Sequence, residues 1–200
     1  EESGDPLETA VRLSIAGNII DMAADADYDL REEVEGVLRE PFGIDDGQAL
    51  RAALDGAEQV LYLADNAGET VFDRLLIETL DPPVIYAVKG HPTINDATLE
   101  DARAAGVGQV AELMSNESDA PGTVLEACSE DFRRTYEAAD LIIAKGQANY
   151  ETLSEEGPRV FFLLQTKCPV IARDLDAPHR SLILHQGRGG RGSQDGGPQD

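Results

Sequence analysis

The sequence predicts an α/β domain built on a largely parallel sheet with both faces covered. Short runs that are apolar throughout, such as LYLA, VIYAV, LIIA and VFFLL, recur along the chain. Strands of that kind belong to sheets buried on both sides. Between them lie stretches with apolar residues at helical spacing, and alternation of strand and helix is the signature of a parallel sheet. A length of 200 residues fits one domain with a sizeable core.

In chain order, Leu7, Val11, Leu13, Ile15, Ile19 and Ile20 recur at helical spacing and predict a helix over residues 6–24. Val34 and Leu38 face inward from a second, over 30–40, and Asp45-Asp46 offers N-caps for a third over 46–55. A strand over 59–64 runs into Asp65-Asn66-Ala67-Gly68-Glu69 and a helix over 70–80. Pro82-Pro83 breaks the chain before a strand over 84–88, and Asn95-Asp96 leads into a helix over 97–105. A short strand over 109–113, a loop over 115–123 and a helix over 124–138 follow. Strands over 141–144, 160–164 and 181–185 complete the sheet, with a short helix over 149–155. Residues 1–185 read as one domain, and the Gly/Arg/Gln/Asp run over 186–200 as a disordered low-complexity tail.

Asp and Glu total 39 against 16 Lys and Arg, a net charge of -23. Such a field repels nucleic acid and anionic membrane surfaces, so neither is an expected partner. The acids are dispersed and hydrophobic content is 42%, which is not the composition of a disordered chain. Abundant acid with little lysine points to a halophilic protein, because at about 1 M salt the Debye length falls to about 3 Å and self-repulsion is screened. Cys128 and Cys168 suggest neither a disulfide framework nor a CxxC site, and the three histidines lack zinc-ligand spacing. With no signal peptide and no apolar span, the expected location is cytoplasmic.

All three lysines, Lys89, Lys145 and Lys167, stand just past the end of a predicted buried strand. Ligands of open α/β sheets bind outside the carboxyl ends of the strands, so three scarce cations there suggest an anion pocket, most simply for phosphate. The competing reading is that strand ends merely face solvent. Asp65-Asn66 is the sharpest feature: a buried strand delivers a carboxylate and a carboxamide to the crevice. Gly68 then allows a tight turn, and the next helix aims its amides at the same space. Hard oxygen ligands suit Mg²⁺ or Mn²⁺, and a helix N-terminus suits phosphate; alternatively these residues only cap the helix. Asn95-Asp96 repeats the pattern and supplies a remaining ligand. The loop Lys145-Gly146-Gln147-Ala148-Asn149-Tyr150 brings a flexible glycine, a cation and two amides, and Lys167 closes a fourth loop. Glu69 is within reach of the site, Asp73 reads as a solvated helix face, and Asp140 opens its strand at the wrong end.

LADNAGETVFDRLL, VKGHPTINDATLEDA, ADLIIAKGQANYETL and FFLLQTKCPVIA, with AGNIID and the SDAPGT loop, resemble the metal-dependent damage-control phosphatases. This family was formerly a domain of unknown function, and the likeness is to its archaeal branch. The resemblance covers residues 6–181. It implies a Rossmann-like three-layer α/β/α sandwich in which Asp65, Asn66 and Asp96 hold one divalent ion (Mn²⁺, Mg²⁺, Co²⁺ or Ni²⁺). Asn18, Lys145 and Lys167 would contact the substrate phosphate. With Gly68, Glu69 and Asn149 they form the expected substrate-binding set, and Asp65, Asp96 and Lys145 the catalytic one. The implied activity is hydrolysis of small phosphorylated metabolites, sugar phosphates or damaged relatives of them, as phosphoric monoesters. Two departures stand out. The family's N-terminal helical segment, often with a cysteine pair, is expected to be absent or truncated, and Glu117 stands where a glycine usually precedes SDAPGT.

Other readings fit less well. A haloacid-dehalogenase-like nucleophile at Asp65 needs a second Asp two positions on, where Ala67 stands. A carboxyl methyltransferase needs a Gly-rich adenosine loop, and a non-catalytic metal or phosphometabolite binder leaves the paired Asp/Asn motifs unexplained. The composition makes a prediction of its own: the unfolding midpoint should rise from dilute buffer to molar KCl. Greater stability in dilute buffer would overturn the halophilic reading.

Overall fold

The computed structural model describes residues 5–20 and 30–189, without the side chains at 18–20, 30–31 and 33–34. The described residues form helices α1 (Pro6–Ile20), α2 (Leu30–Arg39), α3 (Gly47–Gly56), α4 (Thr70–Ile77), α5 (Leu99–Ala104), α6 (Glu130–Ala138), α7 (Gly146–Leu153) and α8 (Pro169–Asp174). The strands are β1 (Phe42–Asp45), β2 (Val60–Leu63), β3 (Val84–Val88), β4 (Glu112–Ser115), β5 (Leu141–Lys145), β6 (Val160–Gln165) and β7 (Leu182–Gln186). They make one seven-stranded sheet in the order β1-β7-β6-β5-β2-β3-β4. The run from β6 to β4 is parallel throughout; β7 lies antiparallel to β6, and β1 parallel to β7.

The period of two along each strand sorts the core into two layers. Val60 and Tyr62, Leu141 and Ile143, Phe161 and Leu163 face one side, against Val11 and Ile15 of α1, Leu50 of α3 and Leu76 of α4. Leu61, Ile142, Phe162 and Leu164 face the other, against Phe132 and Tyr136 of α6, Tyr150 and Leu153 of α7 and Ile171 of α8. The result is the three-layer α/β/α sandwich the resemblance implies. Alternation continues past the apolar run, so Lys145 follows Leu141 and Ile143 onto the face of α1 and α4.

The strand order reverses at β2. The chain moves from β2 outward to β3 and β4, then returns to lay β5 on the other flank of β2. At such a switch point the connecting segments diverge and leave a crevice at the carboxyl ends of the two strands. Asp65 follows β2 there, and Gly146 follows β5.

Several elements differ from the sequence reading. Strand β1 and helix α8 were not expected: β1 is a four-residue strand with alternating exposure, and α8 hides behind Cys168-Pro169, with the proline as its first residue. The strand expected over 109–113 is shifted to Glu112–Ser115, since Val107–Gln109 closes a 3₁₀ turn instead. The helix expected over 124–138 is split, because Ser129 caps α6 by accepting the Phe132 amide. Helix α7 starts at Gly146, three residues ahead of expectation. Asp46 does not cap α3 with its side chain; its carboxylate accepts the Gln186 amide instead. Strand β7 includes Gln186, and Gly187 N donates to Val160 O at 2.7 Å, while residues 190–200 lie outside the described residues. Among the described residues no helix is long and apolar enough to cross a membrane.

Phe162 is fully buried and meets Tyr150 edge-on at 5.2 Å. Phe162→Ala should cost about 3–5 kcal/mol, the range for emptying an aromatic core position. Denaturant unfolding of the two proteins at fixed KCl measures the difference.

Candidate active site

The loops after β2 and β3 are joined backbone to backbone. Asn66 and Asp96 form an antiparallel bridge, Ala67 N donates to Asn95 O at 2.8 Å, and Ala97 N donates to Asp65 O at 2.8 Å. This seam brings Asp65, Asn66 and Asp96 together at the switch point. None of them is simply a helix cap. Asn66 precedes a 3₁₀ turn (Ala67–Glu69) without capping it by its side chain, and Thr98 occupies the cap of α5, its N and Oγ1 donating to Asp101 Oδ2. Gly146 permits the arrangement. Its φ is +81°, and a Cβ there would lie 2.0 Å from Asp65 Oδ2, so only glycine both makes this turn and leaves room for the carboxylate.

Lys145 is buried, and its ammonium donates to Glu69 Oε2 at 2.6 Å, Asp73 Oδ1 at 2.8 Å and the Ser14 carbonyl at 2.8 Å. Three donors meet three acceptors, so Lys145 does not present a proton to the crevice as expected of a phosphate ligand. Glu69 is fully buried, with Oε1 accepting from Asn66 Nδ2 at 2.7 Å, so it braces Asn66 rather than reaching a substrate. Asp73, read from sequence as a solvated helix face, is also fully buried. It accepts from Ser14 Oγ, Tyr62 Oη and Tyr86 Oη at 3.0, 2.7 and 2.7 Å. The signal for it was present: Thr70, Asp73, Leu76 and Ile77 share one helical stripe, and all four are buried.

Asn149 is likewise a clip rather than a substrate ligand. Its Nδ2 donates to Ala64 O and Lys145 O, and its Oδ1 accepts from Thr123 Oγ1. Gln147, the other amide of that loop, accepts the amides of Lys167 and Cys168 at 2.6 and 3.0 Å. It thereby ties the loop after β6 to the start of α7, placing Lys167, half-buried, beside that helix N-terminus. Lys89 is the third of the strand-end lysines. It is buried, donates to the carbonyls of Ala120 and Gly122, and lies 3.8 Å from Asp96 Oδ2. Gly68 lies within the 3₁₀ turn. Asn18 lies in α1, but its side chain, like Asp21, falls outside the described residues. Its neighbour Gly17 lets α1 approach closely, since a Cβ there would stand 2.9 Å from Phe72 Cδ2 and 3.3 Å from Glu69 Cα. Glu117 adopts a left-handed backbone, φ 61°, which explains why a glycine suits that position. Asp140 accepts the Glu58 and Gln59 amides at the opposite end of the sheet, a structural role as expected.

The charges do not balance. Asp65, Glu69, Asp73 and Asp96 set four formal negative charges against the two of Lys89 and Lys145, leaving two in excess. Burial first, and Glu69 second, push the Asp65 carboxyl up to about 8. Burial also raises Glu69, against the pull of Lys145. For Lys145 burial works downward, but Asp73 and Glu69 more than offset it and hold the ammonium charged. Among the described residues no three His, Cys, Asp or Glu side chains gather as a metal cage. The donors at the crevice are two carboxylates and a carboxamide. That set carries two formal negative charges in excess once Asp65 is ionised, and it fits a hard divalent cation that would take the place of the Asp65 proton and be completed by water and substrate oxygens.

A family profile described as the damage-control phosphatase ARMT1-like domain matches residues 1–183. The chain is 43% identical over 183 residues to damage-control phosphatase PH1575 of Pyrococcus horikoshii, covering 88% of this chain and 64% of that protein. It is 40% identical over 184 residues to a damage-control phosphatase of Archaeoglobus fulgidus, covering 88% and 63%. An uncharacterized protein of Methanocaldococcus jannaschii, MJ0202, is 38% identical over 179 residues, covering 84% and 59%. The chain thus spans about three fifths of the length of these relatives. A crystal structure of the Pyrococcus horikoshii DUF89 family protein superposes with a TM-score of 0.86 at 40% identity, covering 94% of this chain and 68% of that one.

The raised Asp65 carboxyl has a consequence for stability. Between its ordinary value of 3.8 and about 8, the folded state holds a proton that the unfolded chain releases. Stability therefore falls as pH rises through that window. Denaturant unfolding with chelator present should show this slope, and Asp65→Asn should flatten it. An equal slope in both proteins would contradict the assignment.

Proposed function

The chain belongs to the damage-control phosphatase ARMT1-like family, and from that premise we propose that it is a divalent-metal-dependent phosphatase acting on small phosphorylated metabolites as monoesters. The observation that carries the reading is the seam that sets Asp65, Asn66 and Asp96 side by side at the switch point with negative charge in excess. Asp65, Asn66 and Asp96 would hold the metal. A bound divalent cation would supply polarisation of a phosphoryl oxygen and acidification of a water.

The chain's own groups do the rest. Helices α4 and α7, eight residues each, start at the crevice and carry partial positive charge there. Lys167, held at the mouth of α7 by Gln147, is the cation assigned to the phosphoryl group. Lys89 secures Asp96 and the 118–122 loop together. Asn18, one residue beyond Gly17, remains assigned to the substrate phosphate. Asp65 or Asp96 would orient the attacking water.

Phosphate release from a panel of phosphorylated metabolites in high salt, with Mn²⁺, Co²⁺, Ni²⁺ or Mg²⁺ supplied, tests the reading. Asp65→Ala and Asp96→Ala should each abolish metal-dependent release. Lys167→Met should lower turnover about a hundredfold, the effect of losing one charge-stabilising donor, with Mn²⁺ affinity little changed. Release that is indifferent to chelator, or to both Asp variants, would overturn the proposal.

A further inference from the structure

We propose that Glu69 and Lys145 act in series as positioning residues, fixing which end of the Asn66 carboxamide faces the metal. This rests on the reading of Asp65, Asn66 and Asp96 as the metal ligands. A carboxamide has two ends of nearly equal size, and only its oxygen binds a hard cation. In Asn66 the nitrogen is committed: Nδ2 donates to Glu69 Oε1 at 2.7 Å and to Asp65 Oδ2 at 3.2 Å. Reversing the amide would set its oxygen 2.7 Å from a carboxylate oxygen, lone pair against lone pair. Glu69 thus excludes the wrong orientation as well as favouring the right one.

Glu69 is fixed in its turn. Its other oxygen takes a proton of Lys145 at 2.6 Å, and neither side chain is solvated, with 0% and 1% exposure. Lys145 is held by Asp73 and by the Ser14 carbonyl, and Asp73 by Ser14, Tyr62 and Tyr86. An unbroken line of short contacts therefore runs from α1 through α4 and β5 to a single carboxamide. Outer partners of this kind change metal affinity by about 10–100-fold when removed.

The arrangement makes a prediction whose sign a merely structural role would not give. In Glu69→Gln, Lys145 still requires an oxygen, so the new amide must turn its nitrogen toward Asn66. Asn66 then reverses and offers nitrogen to the metal. Mn²⁺ affinity, measured by calorimetry on the whole chain, should fall about tenfold to a hundredfold. Adding Lys145→Met leaves the introduced amide free to turn over, so the double variant should bind Mn²⁺ more tightly than Glu69→Gln alone. Glu69→Gln binding within about threefold of the parent, or a double variant no tighter than the single, would overturn the proposal. Should Lys145→Met fail to fold, the side-chain amide resonances of Asn66 in metal-free parent and Glu69→Gln decide, with unchanged shifts as the contrary result. A parent chain that binds no Mn²⁺ would remove the metal reading and this inference with it; binding by the parent with equal binding by Glu69→Gln removes this inference alone.

Discussion

The ammonium of Lys145, buried between Glu69, Asp73 and the Ser14 carbonyl, is the constraint on which the crevice depends. A buried ion pair adds little net stability against an apolar substitute, but losing one partner strands the others at about 3–5 kcal/mol. Here the cation comes from the end of β5, and its partners from α1, from the turn before α4 and from α4 itself. One cation therefore sets the distance between the first helix and the two central strands. The two tyrosines that donate to Asp73 line the same layer, so the polar network is continuous with the apolar core.

Around that point the site is assembled by clips that link strand ends. Gln147 joins the loops after β5 and β6; Asn149 joins the ends of β2 and β5 to Thr123; Lys89 joins the loop after β3 to the 118–122 segment. Each uses an amide or ammonium to satisfy backbone groups that strands leave unpaired where they stop. Residues that look like ligands by type are thus largely spent on holding the strand-end loops in place.

Much of this was legible in the sequence, for physical reasons. Apolar runs such as VIYAV and VFFLL specify strands buried on both faces, and Asp65-Asn66 betrayed its position by following LYLA directly, while Asn95-Asp96 lies beyond a six-residue loop after VIYAV and was marked by repeating the Asp/Asn pairing. The division of labour among Lys145, Glu69 and Asn149 was not legible. It rests on contacts between residues 72 and 76 positions apart, Lys145 with Asp73 and with Glu69, and no local pattern reports which acceptors a buried donor meets. Parity along β5 and the stripe on α4 would have placed Lys145 and Asp73 on a common inner face, which was the available clue. Strand β1 escaped because four residues of alternating exposure beside a reversed strand carry neither a continuous apolar run nor enough length. The orientation of Lys89 depended on the carbonyls of Ala120 and Gly122, more than thirty residues away in the chain.

The placement of the lysines also governs how an anion arrives. With a net charge of -23, the chain's long-range field opposes any anionic ligand, and two of its three lysines are neutralised by carboxylates beside them. Attraction is left to short-range groups at the crevice mouth, which act only once the ligand is within a few ångströms. Encounter is thus slowed by self-generated repulsion, and added salt lowers that barrier more than it weakens the final contacts. A net charge of this size would make association with an anion faster as ionic strength rises, the reverse of the dependence expected where opposite charges steer a ligand inward.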